Sequence, residues 1–402
     1  MRTPLLLLLA ATLPLVTLSC ENVDTNPLDH PDQGEVPATA PAVPLGEVAE
    51  IFSILPIGPE QLREVSDAVS ASVANGYDEE YTMADLFTVP GAGVGDDRLE
   101  TKAALRTYSR PLRDLLSECI RDRFATRGDD GTSADKYLEL LTGSDLQVYW
   151  PYSDSWNGEE APVITFDPED GSSNNVGYKV STDANGKRTV TKMVVTEDYA
   201  KQHPVWVINR NDDASYTSIE LLRRQDPDWG SSGGNVVVKS SDSGDESKTL
   251  VLKSFKAYRN YDCWLRGGSE FFVKCGSIEN FTAKNDAEMR QYSPSITDFM
   301  IEVRRNMVGI SLPFNAVLVT DWTPQLEKCL FMITEDDGGA QTGWTASAVV
   351  KYNSKAYGIE ITIPFNALDD IVWRGTLSSK YLQKKNVHGR FGDVEVLFDV
   401  LD

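Results

Sequence analysis

The 402-residue chain has little histidine: only His30, His203 and His388, too scattered to suggest a histidine-rich metal centre. It contains no HExxH and no GxSxG, so the zinc-protease and serine-hydrolase signatures are absent. Positive charge is also scarce. Lys plus Arg number 38 against 61 Asp plus Glu, a formal net charge of −23. Such a chain is repelled by phosphate backbones, which argues against a nucleic-acid partner. Cysteine is sparse and forms no CxxC pair. Beyond Cys20 there remain Cys119, Cys263, Cys275 and Cys329, which allow three disulfide connectivities. Buried thiols are the simpler state in a chain long enough to fold without staples, and Cys263–Cys275 is the pairing to check. The glycine-rich stretch Gly91–Gly95 runs into Asp96 and Asp97 rather than Gly-Lys-Ser/Thr, so it is a loop and no phosphate cradle. Hydrophobic residues at 41% and charged residues at 25% exclude wholesale disorder.

The apolar run Leu5–Leu18 is too short to span a bilayer, which takes about 20 residues. It has one basic residue before it, Arg2, and fits the apolar core of a secretory signal over residues 1–19. Cys20 follows the small residue Ser19 at the end of that run. This resembles a bacterial lipoprotein signal, which implies that Cys20 is acylated and anchors the chain to the outer membrane. A plain secretory signal is the alternative. Residues 20–44 carry five prolines and five acidic side chains with no Lys or Arg, a composition that keeps a tether extended.

The remainder divides by periodicity. Residues 45–145 show helix spacing: Leu45, Val48, Ala49, Phe52 and Leu55, then Leu62, Val65, Val69 and Val73 after Pro59. A third helix is expected from Pro111 to Thr126. A fourth, capped by Thr132 or Ser133, should end at Gly143. Over 146–235 the period is two, with strands expected at Leu146–Trp150, Val163–Phe166, Thr189–Thr196 and Val205–Asn209. Ser231–Ser247 is of low complexity and reads as a seam. Over 248–402, Phe271, Val273 and Cys275, then Ile359, Ile361, Ile363 and Phe365, then Val394, Val396, Phe398 and Val400 each line one strand face, as in a two-sheet sandwich. The fold class is therefore α+β, with a helical N-terminal region followed by mainly antiparallel β segments, the last a β-sandwich. The echo of Leu312-Pro313-Phe314-Asn315-Ala316 in Ile363-Pro364-Phe365-Asn366-Ala367 reads as two strands, each stopped by proline.

Two constellations could carry chemistry. Glu335, Asp336 and Asp337 follow an apolar strand, and Asp262 ends another. Hard cations need several oxygens converging from loops, so these four are candidate metal ligands and Ca2+ the candidate cofactor. A solvated turn in an acidic protein is the plain alternative. The second constellation is aromatic, Tyr149 to Tyr152 with Trp156. Pro151 ends the strand, so Tyr152 and Trp156 are expected to be exposed and to stack on a glycan or protein ligand, with core packing as the alternative.

The acidic loops of the last segment resemble the C2 family of β-sandwiches, in which loops at one end bind calcium. The Asn260/Asp262 loop offers one carboxylate where that family uses two. The segments GYDEEYTMADLF, LQVYWPYSDSW, HPVWVINRND and DCWLRGGSEFFVK are similar to an uncharacterised family of surface lipoproteins from gut Bacteroidota. That resemblance implies a cell-surface location and this order of parts, and no activity. The reading is a tethered, non-catalytic binding or structural module. One rival is a hydrolase with carboxylates and His203 between the β segments. Another is an accessory of a surface assembly.

Overall fold

The computed structural model describes residues 43–89, 108–126, 131–183, 185–211, 216–225, 248–382 and 386–401. The signal, Cys20, nearly all of the tether, the Gly91–Gly95 loop and the Ser231–Ser247 seam lie outside them. Helix α1 is Leu45–Ile54 and α2 is Pro59–Ala74. Pro59 occupies the first turn, where its missing N–H costs no intrahelical bond, and Gln61 Oε1 accepts from Gly58 N at 2.9 Å. After α2 the chain turns at Gly76, φ +83°, a left-handed geometry that suits glycine. Helix α3 is Met83–Phe87, α4 is Leu112–Ala125 and α5 is Thr132–Thr142. The N-cap of α5 is Gly131 at φ +97°, not Thr132 or Ser133, both of which already lie in the first helical turn.

Six strands form the sheet beneath these helices: β1 Glu80–Thr82, β2 Leu146–Tyr149, β3 Val163–Phe166, β4 Asn174–Thr182, β5 Arg188–Thr196 and β6 Val205–Arg210. Their order is β1-β2-β6-β3-β4-β5, and β3 runs parallel to β6 while the other neighbours are antiparallel. Strand β6 is buried on both faces. Trp206 and Ile208 join Val48, Phe52 and Leu116 under the helices, while Val205 and Val207 face the other way with Tyr149 and Val163. The helical and middle segments are therefore two layers around a shared core.

The last segment is a β-sandwich. Its strands are β7 Lys248–Ala257, β8 Ser269–Ser277, β9 Ser295–Val303, β10 Leu312–Trp322, β11 Leu326–Glu335, β12 Gln341–Tyr352, β13 Lys355–Asn366, β14 Asp370–Ser378, β15 Val387–Phe391 and β16 Val394–Leu401. One sheet has the order β10-β7-β16-β15 and the other β13-β12-β11-β8-β9, with β14 also pairing β11. Phe271, Val273, Cys275, Ile361, Ile363, Val394, Val396 and Phe398 meet between the sheets, as the alternation requires. The architecture is α+β. Neither proline of the echoed pentapeptide stops a strand. Pro313 lies inside β10, opposite Ser254, and Pro364 inside β13, opposite Gly343. Both strands are sheet edges, where a residue without an N–H is tolerated. The four described cysteines are free thiols. Cys275 packs inside the sandwich and Cys263 against the N-terminal sheet, so the Cys263–Cys275 pairing is not formed.

Candidate functional site

Strand β11 runs through the middle of its sheet, and its last residue is Glu335. On one side Glu335 faces Phe271 of β8, on the other Asp370 of β14. Pairing on both flanks leaves Glu335 at 0% exposure. The chain then turns through Gly338 and Gly339, at φ +73° and +94°. A Cβ on Gly339 would stand 2.8 Å from Leu368 Cγ, so this turn needs glycine for both angle and space.

Acidic side chains from three loops converge here. One carboxylate oxygen each from Asp262, Glu270 and Glu335 lie within 4.8 Å of one another, and so do those of Glu335, Asp337 and Asp370. Glu335 belongs to both sets. Both its carboxylate oxygens and Asp262 Oδ2 are buried without a hydrogen-bond partner. Burial pushes Glu335 well above the usual carboxylate range, and Asp262 adds to the push; the Ser269 hydroxyl favours the charged form. Burial likewise raises Asp262 and Asp337. Arg266, 4.0 Å from Asp262 Oδ1, and Arg305 both favour the charged form of Asp262, and Arg266 also pairs with Asp167, so the five carboxylates outnumber the cations beside them.

Three of the four ligands expected from sequence, Asp262, Glu335 and Asp337, are in this cluster. Asp336 is in neither set. Its Oδ1 accepts from Gly338 N at 3.0 Å and Asn366 Nδ2 at 3.1 Å, so it fastens the turn. Its neighbour Asp369, raised to about 6 by burial and by Asp336, accepts from Asn366 N at 2.9 Å. Glu270 and Asp370 take the remaining places. Sequence reasoning missed them because only the register of β8 and β14 against β11 brings them to Glu335.

The aromatic pair is placed differently from expectation. Tyr152 and Trp156 are half-buried, and their polar atoms are used internally. Tyr152, in the left-handed region at φ +59°, donates its hydroxyl to Glu197 Oε1 at 2.8 Å. Trp156 Nε1 donates to Glu160 O at 2.9 Å, and its ring packs edge-on to Trp150 at 5.2 Å. They form no flat exposed platform. His203 sits 2.9 Å from Glu160 Oε1 and stacks on Tyr199 at 4.5 Å, so its partners are in the N-terminal layer.

What the fold and site define is an α+β protein ending in a β-sandwich, with an acidic cluster at the end of its central strand. No family model and no curated protein matches the chain. It is similar to a solved structure described as Drosophila C2-DSL-EGF1, at 14% identity over 39% of this chain and 66% of that chain, just under two thirds of its length. The TM-score is 0.14, so this likeness carries no argument. None of these comparisons supports the resemblance to Bacteroidota surface lipoproteins.

Proposed function

We propose that the protein is an exported, lipid-anchored, non-catalytic binding module whose sandwich takes up Ca2+ between Asp262, Glu270, Glu335, Asp337 and Asp370. The observation that carries the cation is Glu335: a fully buried carboxylate, both oxygens unpartnered, aimed into four other carboxylates. Leaving such a group unmatched costs several kcal/mol, and a hard cation is the ligand that reverses that cost. Asp262, Glu270 and Glu335 form an inner position. Glu335, Asp337 and Asp370 form an outer one, where Asp337 and Asp370 are exposed and leave room for water or an oxygen from a bound partner. A hydrolase gains no support, since His203 is held by Glu160 and Tyr199 in the other layer.

Calorimetric titration of the full chain with CaCl2 is expected to show uptake of one or two equivalents, with Mg2+ weaker because it demands tighter octahedral geometry. Asp370→Asn should weaken uptake more than Asp336→Asn. The absence of heat and of any thermal shift with Ca2+ would remove the reading. The anchor rests on Leu5–Leu18 and Cys20. Mass spectrometry of native protein should recover an acylated peptide beginning at Cys20, and an unmodified Cys20 would defeat this part.

A further inference from the structure

The loop between β7 and β8 does two jobs. Asp262 lies within it, two residues before Trp264, and Glu270 is the second residue of β8; both belong to the inner position. Between them, Trp264 and Leu265, at 2% and 0% exposure, leave the sandwich and enter the N-terminal sheet, packing with Tyr149, Val163, Val195, Val205 and Val207. Polar groups of the plug are matched by that layer and by the Arg305 bridge. Trp264 Nε1 donates to Ser173 O at 2.7 Å. Asn209 Nδ2 donates to the carbonyls of Leu265 and Arg266. Arg266 pairs with Asp167 at 3.2 Å, and Gly268 N donates to Asp78 Oδ2 at 2.8 Å. Arg305 donates to the carbonyls of Asp262 and Gly267, each at 3.1 Å, and to Glu197 Oε1 at 2.8 Å.

We infer that cation occupancy of the inner position controls how firmly the Trp264–Leu265 plug seats in the N-terminal layer. This rests on the cation reading above. Without a cation, Asp262 Oδ2 and both Glu335 oxygens stand buried and unpartnered, so these atoms do not tie the loop to β11. A cation joins Asp262 of the loop and Glu270 of β8 to Glu335 and holds the plug between them at its seated span. The two events therefore share one free energy, and linkage makes the effect reciprocal: whatever loosens the plug weakens cation binding.

The reciprocity gives the test, since Trp264 is no ligand. Trp264→Ala in the full chain is expected to weaken Ca2+ binding by about ten-fold or more, within the usual range of coupling between sites. Trp264→Phe keeps the apolar plug but loses the bond to Ser173, and should give a smaller loss in the same direction. It also serves if the alanine variant fails to fold. In the unsubstituted protein, Ca2+ should slow amide hydrogen exchange in β6 and at residues 263–268 beyond the slowing seen in β15 and β16. Normal Ca2+ affinity in both Trp264 variants, with exchange in β6 indifferent to Ca2+, would overturn the coupling and leave the cation site standing. No Ca2+ binding in the unsubstituted chain would overturn both.

Discussion

Glu335→Gln is expected to abolish the response to Ca2+ while preserving the fold. Glutamine keeps the shape of the side chain but removes the charge common to both carboxylate sets. In the unsubstituted protein, Ca2+ at 100 times its Kd should stabilise the native state by about 2.7 kcal/mol. For a chain of this size that is a rise in Tm on the order of 3 °C. In the Glu335→Gln variant the melting curve should be indifferent to Ca2+. Differential scanning calorimetry with and without Ca2+ checks both. A variant that kept the full Ca2+ shift would show that Glu335 is no ligand.

The second large effect is a loss of stability with rising pH, centred on Glu64 in the helical layer. Glu64 is 2% exposed. Its Oε2 accepts from Leu112 N at 2.7 Å, at the start of α4, and Tyr81 donates to Oε1 at 3.4 Å. Burial outweighs these bonds and lifts the carboxyl from 4.5 to about 7. In the unfolded chain it ionises near its ordinary value. Below that value both states hold the proton and the native state suffers no penalty. Between it and about 7 the unfolded state has released the proton and the native state has not, so stability falls as pH rises. Above the folded value the loss is complete, at about 3 kcal/mol from this group. Glu64→Gln should flatten that part of the curve and raise stability at pH 8. Urea midpoints measured between pH 4 and pH 8 decide it, and equal slopes for variant and parent would refute the assignment.

Periodicity carried much of the fold. The stripe of α2 and the alternation of β8, β13 and β16 point to the faces that are buried. Of the strands that escaped, two show the reason. β1 is three residues long and sits directly before α3, too short to show a period. β4 holds Asn174, Asn175 and Gly177, residues that ordinarily mark turns. Gly177 is there because a Cβ would fall 2.2 Å from Val195 Cγ2 and 2.8 Å from Val163 Cγ1, a packing demand made by neighbouring strands. The candidate site was half legible for a related reason. Asp262, Glu335 and Asp337 stand out as acids at the ends of apolar runs, while Glu270 and Asp370 acquire their role from cross-strand register, which no single stretch of chain displays. Tyr152 and Trp156 show the reverse: aromatics after a proline are equally suited to a surface or a core, and internal hydrogen bonds to Glu197 and Glu160 decided it.

The prolines within β10 and β13 bear on life in a crowd. A strand from a neighbouring molecule laid along either outer margin would meet a gap in the row of amide donors at Pro313 or Pro364. At high local concentration molecules collide often, and open sheet margins are where runaway stacking into fibrils begins. Proline thus blunts one edge of each sheet, β10 and β13, and leaves β15 and β9 at the opposite edges without one.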